Sequence, residues 1–502
     1  MVNMENPKSE IRNPKIARSI CLFCSLGCGV CFRKEGERVV QIDYDTENPV
    51  NNGSLCPRGH YNLELIEHPQ RLGYPLIGNK RAEWEEALSM LRSKLKDAEP
   101  STVGILISGM ASNEEALLAG KLARTLGITN ISCAGDASDA ETYGGARFET
   151  PVCSLGKVGE IDRGDAVMVI GDILNRSPVL SQRINKVKYG KRGNKVIVID
   201  PDRSHTSWFA TSHLKLKPGS EAALLAGMIK VISEDNGKGA IDIDLGKVAE
   251  MTGIPAAAIA AAARDFNCAA SGFAIMSPSR SRSRNDLVKY LVRLICDLSP
   301  NKKQAAFYCF GNALGVNVVL DRAVEARRSF AEIRDGIING EITRLAMFGD
   351  NPFAGDPDIE KKLERMELLA FSSVFPQKIY QNGQITLPLA SHLESGGTFK
   401  LADGRIESVE PVTVKAGRRS NFDIIASLLN LGDEDGEKLK AEALELAEKG
   451  PVMQKASPAE KIAEALEVEI NETVPAENIT HFGNNDLVRN FFWFRANNRS
   501  ET

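Results

Sequence analysis

Residues 21–31 read CLFCSLGCGVC, with four cysteines in eleven positions, and residues 54–60 read SLCPRGH, with one more. The spacing is Cys21-x2-Cys24-x3-Cys28, and 27 residues then separate Cys28 from Cys56. A structural zinc site usually has two separated cysteine pairs. Three clustered cysteines and a remote fourth instead suit a cluster of four irons, each of which takes one thiolate. We therefore expect these four residues to bind a [4Fe-4S] cluster, with zinc or a disulfide as the alternatives.

Neighbouring residues support this interpretation. Gly27, Gly29 and Gly53 allow the backbone to wrap closely around a bulky inorganic core. Pro57 follows the fourth cysteine, as in ferredoxin cluster motifs. Cys31 lies in the apolar stretch VCF and is predicted to be a core residue rather than a metal ligand.

The composition is that of a multidomain globular protein. At 502 residues the chain is too long for a single core. A formal charge of −4 gives no reason to expect nucleic acid or an anionic membrane as a partner. No run approaches the roughly 18 apolar residues of a membrane helix, and the polar start lacks a signal-peptide core. We expect a cytoplasmic protein, where clustered thiols bind metal more often than they pair.

Beyond residue 75 the pattern predicts an α/β fold with a doubly wound parallel sheet. TVGILISG, DAVMVIGDI and KVIVIDPDR are typical of buried parallel strands, and SNEEALLAGKLARTLG predicts a helix capped by Ser112 or Asn113. No G-x-G-x-x-G fingerprint follows these strands, which argues against an ordinary NAD-binding domain. Ligands of such sheets bind at the carboxyl ends of the strands. The candidate binding residues there are Gly171, Asp172, Asp200 and Arg203.

The cysteine region resembles the molybdopterin oxidoreductase family, which includes formate dehydrogenases, periplasmic nitrate reductases and the large iron–sulfur subunit of respiratory complex I. The resemblance is carried by CLFCSLGCGV and by NPVNNGSLCPRGHYNLELIEHPQRLGYPLI, and it extends over roughly residues 16–412. Many members carry a lysine between the cluster and a pterin. The resemblance implies that Arg58 takes this position as an electron relay.

Later segments resemble the parts of the family that bind molybdopterin guanine dinucleotide. These segments are DAVMVIGDILNRSPVLSQRI, KVIVIDPDRSHTSWFA, LKLKPGSEAALLAGM, RLAMFGDNPFAGDPD and TLPLASHLESGGTFKLADGRIESV. The resemblance implies that a retained dinucleotide would be held by Gly171, Asp200, Arg203, Gly219, Glu221, Gly349 and Asn351.

Three departures from the family pattern bear on catalysis. In ITNISCAGDASDAET, Ser138 stands where catalytic members place a cysteine or selenocysteine ligand of the metal, and Asp139 stands where a formate dehydrogenase has histidine. Ser138, Asp136 and Asp139 remain candidate molybdenum ligands. Ile173 replaces a strand-end asparagine, and charged helical segments follow residue 415 in place of a C-terminal β-barrel cap.

The pattern divides the chain into four regions. These are a [4Fe-4S] domain over 1–78, a discontinuous α/β domain over 79–131 and 330–415, a Rossmann-like domain over 132–329, and a helical tail for partner docking over 416–502.

The sequence therefore predicts an electron-transfer subunit of a multi-subunit cytoplasmic oxidoreductase, with one [4Fe-4S] cluster and no evident catalytic ligand for molybdenum or tungsten. Its partners would be iron–sulfur or flavin subunits, because a single cluster needs an exit for its electrons. The alternative is a formate-dehydrogenase-like catalytic subunit with Mo or W between two pterins and its cap on another chain. A structural scaffold without redox function is a third hypothesis, against which the intact cysteine spacing argues.

Overall fold

A computed structural model describes residues 15–134, 154–155, 157–277, 285–301, 303–307, 310–349, 351–353, 356–414, 416–432, 435–449 and 457–467. Within these ranges the strands form sheets of three, six and seven strands and one two-stranded ribbon.

The described strands are named in chain order. They are β1 Lys15–Ile20, β2 Gly29–Glu35, β3 Arg38–Asp43, β4 Leu76–Ile77, β5 Lys80–Arg81, β6 Val103–Ser108, β7 Ile131–Ala134, β8 Ser154–Leu155, β9 Ala166–Ile170, β10 Lys195–Ile199, β11 Ser212–Leu214, β12 Gly272–Met276, β13 Lys303–Phe307, β14 Arg344–Phe348, β15 Leu368–Ser373, β16 Ile385–Pro388, β17 Gly397–Lys400 and β18 Ile406–Val409.

The described α-helices are named in the same way. They are α1 Pro57–His60, α2 Glu64–Glu67, α3 Trp84–Lys96, α4 Asn113–Thr125, α5 Ile173–Arg176, α6 Leu180–Gly190, α7 Glu221–Asp235, α8 Leu245–Thr252, α9 Ala256–Asn267, α10 Asn285–Leu298, α11 Ala313–Ala323, α12 Phe330–Asn339, α13 Pro357–Leu363, α14 His392–Ser395, α15 Asn421–Leu429, α16 Gly436–Glu448 and α17 Pro458–Ala465.

The N-terminal part is a small antiparallel sheet in the order β1-β2-β3. The chain between β1 and β2 carries three of the cysteines, and the Cys21 N–H donates to the Cys28 carbonyl at 2.8 Å. Gly27 makes this turn with φ +65, and an added Cβ would lie 2.2 Å from Leu401 Cδ1. The turn therefore needs glycine both for its backbone conformation and for its packing.

The seven-stranded sheet joins two distant parts of the chain. Its order is β5-β4-β16-β15-β14-β6-β7, and the strands from β16 to β7 are parallel. Side chains of β6 alternate between two cores: Ile105 and Ile107 pack on one face and Leu106 on the other. Helices therefore cover both faces, as in a doubly wound sheet. The sheet also includes β4, which lies within the predicted 1–78 region, and the division into a discontinuous domain over 79–131 and 330–415 stays a prediction.

The six-stranded sheet is parallel throughout, in the order β11-β10-β9-β12-β13-β8. Met168 and Ile170 of β9 pack on one face. Val167 and Val169 pack on the other face, in a core that also contains Phe23 of the cysteine segment. The cysteine-bearing domain thus packs against this sheet domain. The expected α/β fold class is confirmed.

The tail helices pack on the chain's own domains. In α16, Leu439 and Ala443 are buried in the core of the seven-stranded sheet domain. The Lys400 ammonium donates to the Ala447 carbonyl at the end of α16, at 2.5 Å. Ile462 of α17 is buried in the core of the six-stranded sheet domain. Residues 490–498, whose sequence NFFWFRANN is rich in aromatic side chains, lie outside the described residues, and partner docking by the tail stays a proposal.

In the described ranges, the helices are all too short or too polar to cross a membrane.

Candidate cluster and cofactor site

The four cysteines expected to bind the cluster line one pocket. Its walls also include Phe23, Leu26, Leu55 and Val179, which are apolar. Cys56 is the residue directly before α1, and it lines the pocket together with the other three cysteines. Cys31 lies on β2 and is not among the residues that line the pocket.

The electrostatics of the pocket favour a cationic occupant. Burial, together with the neighbouring Cys56 and Cys24, raises the pKa of the Cys21 thiol to about 12. Burial likewise raises the pKa of Cys24 and of Cys28. Thiolates this close together in an apolar site need compensating positive charge, which bound iron supplies.

The residues present fit a [4Fe-4S] cluster. Four thiols converge on one apolar pocket, and backbone hydrogen bonds from Phe23 and Leu26 lower the pKa of Cys21 and Cys24 respectively. Such hydrogen bonds to sulfur are what tune cluster potentials. Among the described residues, no group of three or more His, Cys, Asp or Glu side chains is arranged to hold a single metal ion.

Arg58 links the cysteine pocket to the six-stranded sheet. The residue lines the pocket, and its positive charge lowers the pKa of Cys24. Its Nη2 donates to the carbonyl oxygens of Asn175 at 2.8 Å and Arg176 at 2.5 Å, both on α5. Arg58 therefore contacts both the cysteine pocket and α5, the helix that begins directly after Gly171 and Asp172 at the carboxyl end of β9.

A second arginine approaches the pocket from another direction. Arg405 donates from Nη2 to the Leu26 carbonyl at 2.9 Å, and its charge lowers the pKa of Cys28. Asp403 and Glu407 hold the guanidinium at 2.7 Å and 2.6 Å. The sequence analysis did not single out Arg405, although it lies in the GR motif of the last resembling segment.

The residues predicted at the six-stranded sheet gather at its carboxyl edge. Gly171 follows β9 with φ +85, and Asp200 follows the neighbouring β10. The sheet reverses its strand order between β9 and β12, so Gly171 lies at the switch point where such folds bind ligands. Asp172 Oδ1 accepts from Thr206 Oγ1 at 2.6 Å, which ties the loops after β9 and β10 together.

Asp200 shapes its own loop. Its carboxylate accepts hydrogen bonds from the Asp202 N–H at 3.0 Å and the Ser204 hydroxyl at 2.7 Å. Burial raises the pKa of Asp200 to about 6. Arg203, in the same loop, is exposed and accessible to an anionic group.

Gly219 and Glu221 follow β11, the next strand along the same edge. Gly219 has φ +83, and Glu221 is the buried first residue of α7. All six predicted residues of this region, Asp172 included, therefore follow β9, β10 or β11 at one edge of the sheet.

Gly349 and Asn351 lie at the corresponding edge of the seven-stranded sheet. Gly349 follows β14 with φ +129, and an added Cβ would lie 2.3 Å from the Ser108 Cβ at the end of β6. β6 and β14 are the switch point of this sheet. The Asn351 amide donates to the Tyr380 hydroxyl at 3.1 Å and accepts from the Phe353 N–H at 3.0 Å, so it holds its loop in shape.

The comparisons with known proteins decide the family. The family model "Molybdopterin oxidoreductase" matches residues 71–431, and "Molybdopterin oxidoreductase Fe4S4 domain" matches residues 14–68. The chain belongs to the molybdopterin oxidoreductase family. This membership supports both a [4Fe-4S] cluster and a molybdopterin cofactor.

Two relatives illustrate the range of the family. The chain is 25% identical over 467 residues to the NADPH-Fe(3+) oxidoreductase subunit alpha of Geobacter sulfurreducens, covering 82% of this chain but only 55% of that relative. It is 26% identical over 490 residues to the F420-dependent formate dehydrogenase 2 subunit alpha of Methanococcus maripaludis, covering 86% of this chain and 72% of the relative. The chain thus spans about half the length of the Geobacter relative.

A solved structure shares the fold. The acetylene hydratase from Pelobacter acetylenicus superimposes with a TM-score of 0.62 and 18% identity, over 83% of this chain and 69% of that one. At this identity the similarity concerns the fold alone.

Three predicted residues lie outside the part of the chain that the structure describes. They are the candidate molybdenum ligands Ser138, Asp136 and Asp139.

Ile173 is the first residue of α5 and is fully buried. Its side chain packs in the core that the six-stranded sheet shares with the cysteine segment.

The sequence analysis missed a buried histidine and a buried glutamate at the seven-stranded sheet. His392 and Glu115 line a cavity beside Gly349 and Ser108. Burial lowers the pKa of His392 to about 4 and raises that of Glu115 to about 7. The sequence does contain a signal for helix starts at these two places. SHLE and SNEE each place a serine three residues before a glutamate, directly after a strand or its loop, and this spacing is typical of a capping box.

Proposed function

We propose that this chain is an electron-transfer subunit of a multi-subunit cytoplasmic oxidoreductase, in which Arg58 connects a [4Fe-4S] cluster to a bound pterin. The observation that supports the proposal is the contact of Arg58 with both the cysteine pocket and α5, which lies at the sheet edge predicted to bind pterin. Chemistry on the substrate would then belong to another chain.

The residues around the pocket have distinct tasks in this proposal. When bound, the [4Fe-4S] cluster supplies one-electron transfer. Cys21, Cys24, Cys28 and Cys56 would hold it as thiolates, and the apolar walls keep water from the sulfurs. Arg58 and Arg405 place positive charge beside Cys24 and Cys28, which favours the more negative, reduced state.

The pterin would occupy the carboxyl edges of the two larger sheets. Gly171 and Gly349 permit close approach of a ligand to the backbone at the two switch points. Arg203 would bind an anionic group of the dinucleotide, since it is exposed in the loop after β10.

A partner is part of the proposal. One cluster can hold only one electron at a time, so electrons must leave to an iron–sulfur or flavin subunit. The Geobacter and Methanococcus relatives are each a subunit alpha, which is consistent with such an assembly.

The second candidate is catalysis of a formate-dehydrogenase type by this chain. The similarity to the F420-dependent formate dehydrogenase subunit, over 86% of this chain, favours it. The serine at position 138, where a cysteine or selenocysteine ligand is expected, argues against it.

The first test is elemental and functional analysis of the complex purified without oxygen from its host. We expect about four irons on this chain, releasable pterin, and no formate-dependent dye reduction by the chain separated from its partners. Formate oxidation by the separated chain, together with stoichiometric Mo or W, would establish the second candidate instead. Zinc in place of iron would overturn both.

A further inference from the structure

One wall of the cysteine pocket comes from the six-stranded sheet domain. Ser177, Pro178 and Val179 line the pocket and connect α5 to α6. The Ser177 N–H donates to the Ile173 carbonyl at 2.7 Å, and the Ser177 carbonyl accepts from the Leu180 N–H at 3.0 Å. The backbone of Ser177 is therefore held in place from both helices.

Ser177 has a buried hydroxyl group that lacks an ordinary partner. It is the one residue with a hydroxyl among the described residues that line the pocket, and it is fully buried. Its Oγ has no hydrogen-bond partner of ordinary geometry in the part of the chain that the structure describes. Buried polar atoms in folded proteins nearly always have a partner. A hydroxyl left open in the wall of a pocket indicates an acceptor that forms when the pocket is filled.

The Cys24 sulfur is the acceptor that the pocket offers to this hydroxyl. Burial raises the pKa of Cys24, whereas the charge of Arg58 and a side-chain hydrogen bond from Ser177 lower it. A neutral thiol is a weak acceptor, but a thiolate accepts charge-assisted hydrogen bonds, which are about twice as strong as neutral ones. The serine therefore gains a full partner when Cys24 is ionised as a ligand of iron.

Arg58 fixes the same stretch of backbone from the side of the cysteines. Its Nη2 donates to the carbonyls of Asn175 and Arg176, the two residues directly before Ser177. The hydroxyl thus belongs to a segment that is bonded to both domains. A donor held in this way is preorganised toward the sulfur, so no rearrangement has to accompany a change of charge on the cluster.

We propose that the Ser177 hydroxyl donates a hydrogen bond to the Cys24 sulfur of the bound [4Fe-4S] cluster and thereby raises the reduction potential of the cluster. The inference rests on the proposed function, since it requires that the chain carry this cluster. The cluster takes one electron from, or returns it to, the iron–sulfur or flavin partner, and the hydroxyl keeps its proton in both states. Because the reduced cluster is more negative by one charge, a hydrogen bond to its sulfur stabilises the reduced state more.

Three substitutions isolate the hydroxyl. Ser177→Ala removes it and leaves a methyl group, which suits the apolar walls, and Ser177→Thr keeps it. Ser19→Ala is the matched control, because Ser19 is also buried and its Oγ also lacks a partner among the described residues, but it does not line the pocket. If the hydroxyl of Ser177 only fills space, the two alanine variants should behave alike.

The experiment is an EPR-monitored redox titration of the wild-type complex and the three variants, purified without oxygen, with iron per chain and thermal unfolding measured on the same samples. We expect Ser177→Ala to keep its iron and its unfolding temperature while reduction of the cluster becomes about tenfold less favourable, a shift of about 59 mV to more negative potential for a one-electron couple. Ser177→Thr should lie closer to the wild type than Ser177→Ala does, and Ser19→Ala should match the wild type.

The outcomes distinguish this inference from the proposed function. An unchanged potential in Ser177→Ala, or an equal shift in Ser19→Ala, would overturn the role of the hydroxyl while the proposed function stands. Loss of iron from Ser177→Ala would mean that the hydroxyl is needed to hold the cluster, so that the assigned tuning role is wrong. Formate oxidation by the separated chain would replace the proposed function and leave this inference intact, because it concerns the cluster alone. A wild-type complex without iron would overturn both.

Discussion

Cys24 and Cys31 are buried thiols seven positions apart, yet only Cys24 lines the pocket with the other three cysteines. Burial raises the pKa of Cys31, and the nearby Asp45 and Asp43 act in the same direction, whereas Arg18 lowers it. A thiol on the neighbouring strand is therefore close in sequence to the cluster site without being part of it.

We expect Cys24→Ser to lose most of its bound iron and the EPR signal of the reduced cluster, because a serine hydroxyl is a much poorer ligand for iron than a thiolate. Cys31→Ser, the matched control, should keep both. Iron per chain and low-temperature EPR are the measurements. A full cluster signal in Cys24→Ser would show that the ligand assignment is wrong.

Arg58 offers a second test at this scale. Removing its charge in Arg58→Gln should shift the cluster potential to more negative values, by about 60 mV for each 1.4 kcal/mol of lost electrostatic stabilisation. Arg58→Lys keeps the charge and should stay near the wild-type potential. An EPR-monitored redox titration measures both. Equal potentials in wild type and Arg58→Gln would contradict a role for this charge.

How much of the site can be predicted depends on how close together its residues lie in the sequence. Cys21, Cys24 and Cys28 form a motif within eight positions, which metal chemistry alone makes recognisable. His392 is an isolated histidine, and its partner Ile20 is 372 positions away. No local pattern can reveal such a contact, because tertiary packing creates it.

At the scale of elements, the strands and helices that the sequence predicts are those with a strong local pattern. TVGILISG contains β6, DAVMVIGDI contains β9 and KVIVIDPDR contains β10. Ser112, one of two predicted caps, forms a capping box with Glu115 at the start of α4. The pairing of β6 with β14 could not be predicted in this way, because strand neighbours depend on the whole topology.

The turn at Gly27 gives a prediction for one element. Gly27 and Gly36 both have positive φ, but an added Cβ meets Leu401 at Gly27 and nothing within 4 Å at Gly36. Gly27→Ala should therefore cost about 1–3 kcal/mol more than Gly36→Ala, the difference being overpacking. Thermal unfolding and iron per chain measure the effect. Equal losses in the two variants would mean that the backbone conformation alone matters.

At the scale of the whole molecule, α16 packs against the seven-stranded sheet domain and so attaches the tail to it. Lys121 pairs with Glu442 at 2.8 Å, and Ala443 is fully buried against the domain. The Lys400 ammonium, bonded to carbonyls of Ala447 and Lys449, compensates the negative end of the helix.

We expect Ala443→Arg to detach α16, at a cost of about 2–3 kcal/mol or more, because the buried position cannot accept a long charged side chain. Ala441→Arg places the same side chain on the exposed face of the helix and should be nearly neutral. Limited proteolysis of the tail reports the difference. Equal cleavage rates in the two variants would show that α16 does not depend on this contact.

The discontinuous sheet also has a consequence for synthesis on the ribosome. β6 emerges with β7 on one side, but its other neighbour, β14, is translated only after all the described strands of the six-stranded sheet. At ordinary rates of elongation this interval lasts roughly 10–50 seconds. Throughout it, the nascent chain carries an open apolar strand edge, which makes β6 a natural target for chaperones that act during translation.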